Sequence, residues 1–217
     1  MANPDFKEDK YRGVFQWIHL DKPFAFNSME GRSVAVEPNT AGAKYSISWL
    51  LSAEDGAEFE QKCIEHFNAR KAEDKKIKTD FGAVHGMKKN DDGTWIVTAS
   101  RKSMNKNGEI VTVTGVDIFP TTLPVFDGYK KPLDDLNLWN GSRGTAKFSL
   151  YPAGNPATKK WGISINLLAV QIMEAVRGAE DDDFEMLEAP AEQDPFGLPP
   201  AAQASAAGSD LNDEIPF

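Results

Sequence analysis

Between Lys44 and Phe67 the hydrophobic period changes once, and that change restricts the folds open to this chain. In residues 44–51 (KYSISWLL), Tyr45, Ile47, Trp49 and Leu51 alternate with Lys44, Ser46 and Ser48. Successive side chains of a strand point to opposite faces, so this segment is a half-buried strand. At Ser52 the pattern switches. Residues 52–55 (SAED) offer a hydroxyl that caps a helix and place Asp55 near its positive end. From Ala57 to about Lys76, Phe59, Cys63 and Phe67 recur every fourth residue among charged neighbours, which predicts one amphipathic helix.

Strand patterns dominate elsewhere. Residues 11–20 (YRGVFQWIHL) are rich in aromatic and branched side chains and run into Pro23. Residues 95–101 and 110–119 flank a polar turn, 102–108, and read as a hairpin, with Gly115 marking a bulge or bend. Residues 120–143 hold Tyr129, Lys130, Lys131 and Trp139 among prolines and glycines and read as a long loop. Residues 145–151 and 161–171 form a last pair of strands. The expectation is a mainly β fold of five or six strands with one long helix after the second strand. A small Greek-key barrel closes the edges of such a set, and a sandwich is its main competitor.

Charge divides the chain into two parts. Of 33 acidic and 24 basic residues, eleven acids and no Lys or Arg fall in residues 178–217. Residues 1–177 therefore hold all 24 bases against 22 acids, a net of +2, although the whole chain stands at −9. The tail also carries Pro190, Pro195, Pro199 and Pro200 and an Ala/Ser/Gly stretch, a composition that builds no core. Residues 1–177 are expected to form one domain and residues 178–217 a disordered acidic tail.

Several classes drop out. The longest nearly apolar stretch, 163–176, is too short to cross a bilayer and is interrupted by polar residues, and residues 1–10 lack the features of a signal peptide. A lone Cys63 makes no intrachain disulfide and fits a cytoplasmic protein. His19, His66 and His85 have no metal-ligand spacing, so neither a metal nor another cofactor is expected. The acidic pairs Asp91-Asp92 and Asp134-Asp135 precede turn residues and read as solvated turn caps. No phosphate loop or nucleophile motif is present, and the sequence does not read as an enzyme.

Aromatic and basic residues carry the functional signal. Thr145, Lys147, Ser149 and Tyr151 alternate with Ala146, Phe148 and Leu150, which puts Lys147 and Tyr151 together on the face away from the core. An exposed ring beside lysines suits a single-stranded nucleic acid, whose bases stack while ammonium groups follow the phosphates. Trp17, Lys44, Arg101, Lys102, Lys106, Tyr129, Lys130, Lys131, Trp139, Lys159, Lys160 and Trp161 are candidates to extend that surface.

The sequence ends in Asp213-Glu214-Ile215-Pro216-Phe217. An acidic tether that presents an apolar plug and a terminal carboxylate suits a basic pocket on a partner protein. This ending resembles the C-terminal tip of bacterial single-stranded DNA-binding proteins. The body is similar instead to the single-stranded DNA-binding proteins of tailed phages. That likeness rests on Trp17-Ile18-His19 with Lys22-Pro23, the strand 45–51 and the helix after it, Asp92-Gly93-Thr94, and Lys147-Phe148-Ser149-Leu150. The resemblance implies an oligonucleotide-binding (OB) barrel that coats single-stranded DNA in the host cytoplasm with little sequence preference. Replication, recombination and repair are the implied settings, with polymerase or primase/helicase recruited by the tail and a homo-oligomer left open. The rival expectation is a replication adaptor whose barrel binds protein.

Overall fold

In a computed structural model the chain is described over residues 7–77, 79–114, 121–154 and 160–177. All of these lie within the unit Met1–Gly178. The described residues form β1 (Lys7–Val14), β2 (Gln16–Asn27), β3 (Arg32–Ala35), β4 (Lys44–Leu51), α1 (Ala53–Glu73), β5 (Phe81–His85), β6 (Met87–Lys89), β7 (Trp95–Lys102), β8 (Thr112–Thr114), β9 (Thr122–Phe126), β10 (Arg143–Gly154) and β11 (Trp161–Glu174). The fold is mainly β with one helix, as the alternation predicts. No helix among the described residues is long and apolar enough to cross a membrane.

Strands follow one another in the order β1-β10-β11-β7-β4-β2-β3. The long strand β11 organises the sheet, since it pairs antiparallel with β10 and parallel with β5, β7 and β9. Its length follows from the run Ile163, Ile165, Leu167, Val170 and Ile172, all buried. Between Leu167 and Val170 the alternation slips by one residue, at the register shift opposite Lys147 and Phe148. The core joins this run to Tyr45, Ile47 and Trp49 of β4, Val97 and Ala99 of β7, and Ala146, Phe148 and Leu150 of β10. Burying such side chains is the main stabilising term.

The helix covers this core. Ser52 accepts the backbone N–H of Asp55 at 3.0 Å, the expected cap. Cys63 and Phe67 are buried, with Phe59 packed beside them. The helix starts at Ala53, directly after that cap, and ends at Glu73, short of the expected Lys76. Gly56 is tolerated in its first turns because a Cβ there would stand 2.0 Å from the Trp95 ring.

Three connections differ from the sequence expectation, the first being the long loop expected over residues 120–143, which contains strand β9. The strand expected over residues 11–20 is two strands broken at Phe15, which is fully buried and exchanges backbone hydrogen bonds with Ser142 and Gly141. The expected hairpin of residues 95–101 with 110–119 does not form among the described residues. Strand β7 pairs with β4 along its whole length, and only the bridge Met104 to Ile110 links the two sides of the turn. Asn105 Oδ1 closes that turn by accepting the N–H groups of Asn107 and Glu109. The chain then makes β8, which lies parallel to β9. Residues 115–120, including Gly115, lie outside the described residues, as do Lys159 and all of 178–217 with the tip Asp213–Phe217.

Candidate nucleic-acid interface

The wetted faces of three paired strands make the floor of a groove. Ser46 stands opposite Ser100, and Ser48 opposite Thr98. Asn166 of β11 pairs with Ser100 on the far side. Period two thus sends Tyr45, Ile47, Trp49, Val97 and Ala99 into the core and a row of small polar side chains out of it. Ser48 and Thr98 share a hydrogen bond of 2.8 Å between their hydroxyls. Gly86 lets β5 and β6 pass close to this floor. Its φ is +98, its carbonyl accepts the Thr98 N–H at 2.7 Å, and a Cβ would lie 2.5 Å from the Thr98 carbonyl oxygen. A side chain at that position would break the approach.

Cations and rings stand around the floor. Lys44 and Lys102 face each other directly across β4 and β7. Like charges in opposed positions destabilise a sheet, and neither lysine has a carboxylate partner among the described residues. Arg101 and Lys106 add two more cations to the lining. Burial holds the Arg101 guanidinium below its ordinary value, so an anion there would strengthen its charged form. Trp17, Tyr151, and His19 stacked on Phe24 with ring centres 3.8 Å apart also line the groove, and Phe24 is the register partner of Lys44. Burial lowers the His19 pKa, against a smaller opposite pull from Asp21.

Trp17 is held in an unusual conformation. Its φ of +44 is disfavoured for a bulky residue, and its N–H donates to Asn140 Oδ1 at 2.7 Å. Asn140 belongs to a turn fixed by the Ser142 hydroxyl, which donates to the Trp139 carbonyl at 2.8 Å. The result is a tryptophan that remains 46% exposed at the groove's edge.

The groove has a volume of about 1160 Å³, and among its 23 lining residues none is Asp or Glu. Of the residues expected from sequence it gathers Trp17, Lys44, Arg101, Lys102, Lys106 and Tyr151. Lys147 shares a face parity with Tyr151 but is engaged by Glu8 of β1 at 2.7 Å, away from the lining. Trp161 packs against the core, its N–H donating to Thr79. Lys160 is exposed beside it. Tyr129, Lys130 and Lys131 ride on a turn closed by Asp127, whose Oδ1 accepts the N–H of Tyr129 and of Lys131 at 2.8 Å. Tyr129 is 88% exposed, and Trp139 is also exposed. These four stand outside the groove lining.

The sequence reading missed the floor itself, Ser46, Ser48, Thr98, Ser100, Ser164 and Asn166, together with His19, Phe24 and His85. A signal existed for part of it. Ser46 and Ser48 alternate with the apolar set of β4, and Thr98 and Ser100 alternate with Val97 and Ala99. Which strands lie side by side was not legible, so the row was invisible as a row.

No family model matches the chain, and neither does any curated protein sequence. Among the solved structures it is similar to are single-stranded DNA-binding proteins of bacteriophages. One is gp2.5 of bacteriophage T7, with a TM-score of 0.52 and 17% identity over 85% of this chain and 99% of that one. Another is the bacteriophage Enc34 protein in complex with ssDNA, with a TM-score of 0.52 and 15% identity over 83% and 96%. A C-terminal truncation of the Enc34 protein gives 0.50 and 16% over 79% and 88%. At these identities the likeness is one of fold, and it agrees with the barrel expected from sequence.

Proposed function

We propose that the chain is a single-stranded DNA-binding protein that coats its substrate with little sequence preference during phage replication, recombination and repair. One observation carries this reading. In a chain with 33 acidic residues and a net charge of −9, the large groove is lined, among the described residues, by four Lys or Arg side chains and no carboxylate. The opposed Lys44 and Lys102 supply a local positive field that the global charge conceals. Rings at the edge give bases a surface on which to stack, and hydroxyl and amide groups on the floor hydrogen-bond without selecting one base. The likeness to the bacteriophage Enc34 protein in complex with ssDNA supports the same reading. Residues 1–177 act here as the binding domain. The acidic segment 178–217 acts as a tether whose tip, Asp213 to Phe217, recruits replication enzymes.

Titration with oligo-dT, followed by tryptophan fluorescence at two salt concentrations, tests the reading. Binding should quench emission, because Trp17 stands at the groove. The logarithm of affinity should fall with the logarithm of salt by about 0.7 for each phosphate contacted. A protein that binds oligo-dT no better than a neutral control is not a single-strand coat, and the adaptor reading then takes its place.

A further inference from the structure

We infer that the hairpin of β2 and β3 extends the groove as a second wall, on which Phe26 stacks a base of the same single strand. This rests on the function proposed above. Phe24 and Phe26 are two residues apart on β2 and therefore share one face. Phe24 already lines the groove. Phe26 pairs with Ser33 of β3, and Ser33 lines the groove as well. The face that carries Phe26 is thus a continuation of the groove beyond its enclosed part. The two residues stand two strand rises apart along the backbone, about 6.8 Å, enough for successive bases to address one position each.

Exposure and rigidity single this hairpin out. Phe26 is 69% exposed and Met29, at the tip, is 97% exposed. The tip is nevertheless well tied. Asn27 Oδ1 accepts the Met29 N–H at 3.0 Å, the Asn27 carbonyl accepts the Gly31 N–H at 2.9 Å, and Asn27 Nδ2 donates to Glu30 at 2.9 Å. Gly31 takes the left-handed φ of +66 that the turn requires. A ring presented on an ordered hairpin loses little conformational freedom when a ligand arrives.

The neighbouring charges favour a nucleic acid as the occupant. Lys44 lies directly opposite Phe24 across β2 and β4, which places an ammonium beside the first ring. Glu30, the one carboxylate at the tip, is paired with Arg32 at 2.8 Å, so the tip presents no unpaired negative charge to a phosphate backbone. The apolar surface amounts to two separated side chains, less than a protein interface core requires.

The test uses the full chain and two oligo-dT lengths, about 5 and about 16 nucleotides, near the ends of the range a single barrel occupies. Phe26→Ala should weaken binding of the long oligomer fivefold or more and shorten the protected footprint, while the short oligomer binds as before. Phe26→Tyr, which keeps a ring, should restore the long-oligomer affinity, and Phe26→Leu, which keeps only apolar bulk, should not. Phe26 is mostly exposed, so all three variants should fold, which thermal melting checks. Wild-type binding with unchanged affinity and footprint in Phe26→Ala overturns the hairpin wall alone. Rescue by Leu as complete as by Tyr also overturns it, as does a change confined to self-association, because either marks the side chain as a protein contact. A wild-type chain that binds neither oligomer overturns the hairpin and the proposed function together.

Discussion

Lys102 and Lys147 show how the same side chain differs with its neighbour. Lys102 faces Lys44 without a carboxylate partner among the described residues, whereas Lys147 is held by Glu8. Lys102→Ala should lower the salt slope of single-strand binding by about 0.7, the contribution of one phosphate. It should also raise Tm slightly by relieving the repulsion with Lys44. Lys147→Ala should leave the slope unchanged, since its charge is already matched. Equal effects of the two substitutions in parallel salt titrations would remove the distinction. Part of this was legible from sequence. Alternation placed Tyr151 on the wetted face and Lys44 opposite the core set, and both line the groove. The fate of Lys147 was hidden, because β1 becomes its neighbour only through a pairing of Lys10 with Lys147 that spans most of the chain. Trp161 was hidden for a related reason. Its parity places it at a strand start, but β5 beside it and the core beneath decide which way its ring lies.

At the scale of elements, the cap and the four-residue stripe were enough to find α1, because both signals are local to the chain. The partner of β7 is β4, far earlier in the chain, and no local pattern encodes a contact between such distant segments. The helix stripe gives a prediction of its own. Cys63 is fully buried, and burial pushes its thiol up to about 12. A reagent that needs the thiolate should therefore label Cys63 only when α1 leaves the sheet. Labelling should be slow in the native protein and accelerate with urea in step with unfolding. Phe67→Ala, which deletes a fully buried ring beneath the same helix, should cost about 3–5 kcal/mol and speed labelling in native buffer. The sign of the pH dependence follows from the raised value. The unfolded thiol begins to ionise near pH 8.5, while the folded one keeps its proton, so the contribution of Cys63 to stability is full below that pH. It is lost progressively as pH rises from about 8.5 towards 12. Cys63→Ala should lack this component when urea midpoints are compared across the same range. Rapid labelling of Cys63 in the folded protein at neutral pH would contradict its burial.

For the whole molecule the governing quantity is the separation of charge along the chain. A body of net +2, whose groove has no carboxylate among the described lining residues, is covalently tied to a segment that holds eleven carboxylates and no Lys or Arg. A tethered polyanion is present at a high effective concentration, so it competes for a cationic groove far better than the same peptide free in solution. Truncation after Arg177 tests whether the acidic segment is such a competitor. Single-strand affinity should then rise, most at low salt, where the Debye length is on the order of 30 Å and the tail's charges are least screened. The gain should shrink as salt is added. Deleting Phe217 alone leaves all eleven side-chain carboxylates in place, so DNA affinity should hardly change. It does remove the apolar end of the proposed tip, the part that the recruitment reading assigns to a partner's pocket. Capture of replication enzymes should be lost. The two variants separate competition from recruitment when each is followed both by DNA titration and by pull-down. A truncation that binds DNA more weakly would show that the tail assists the groove. A Phe217 deletion that retains every partner would place recruitment elsewhere on the chain.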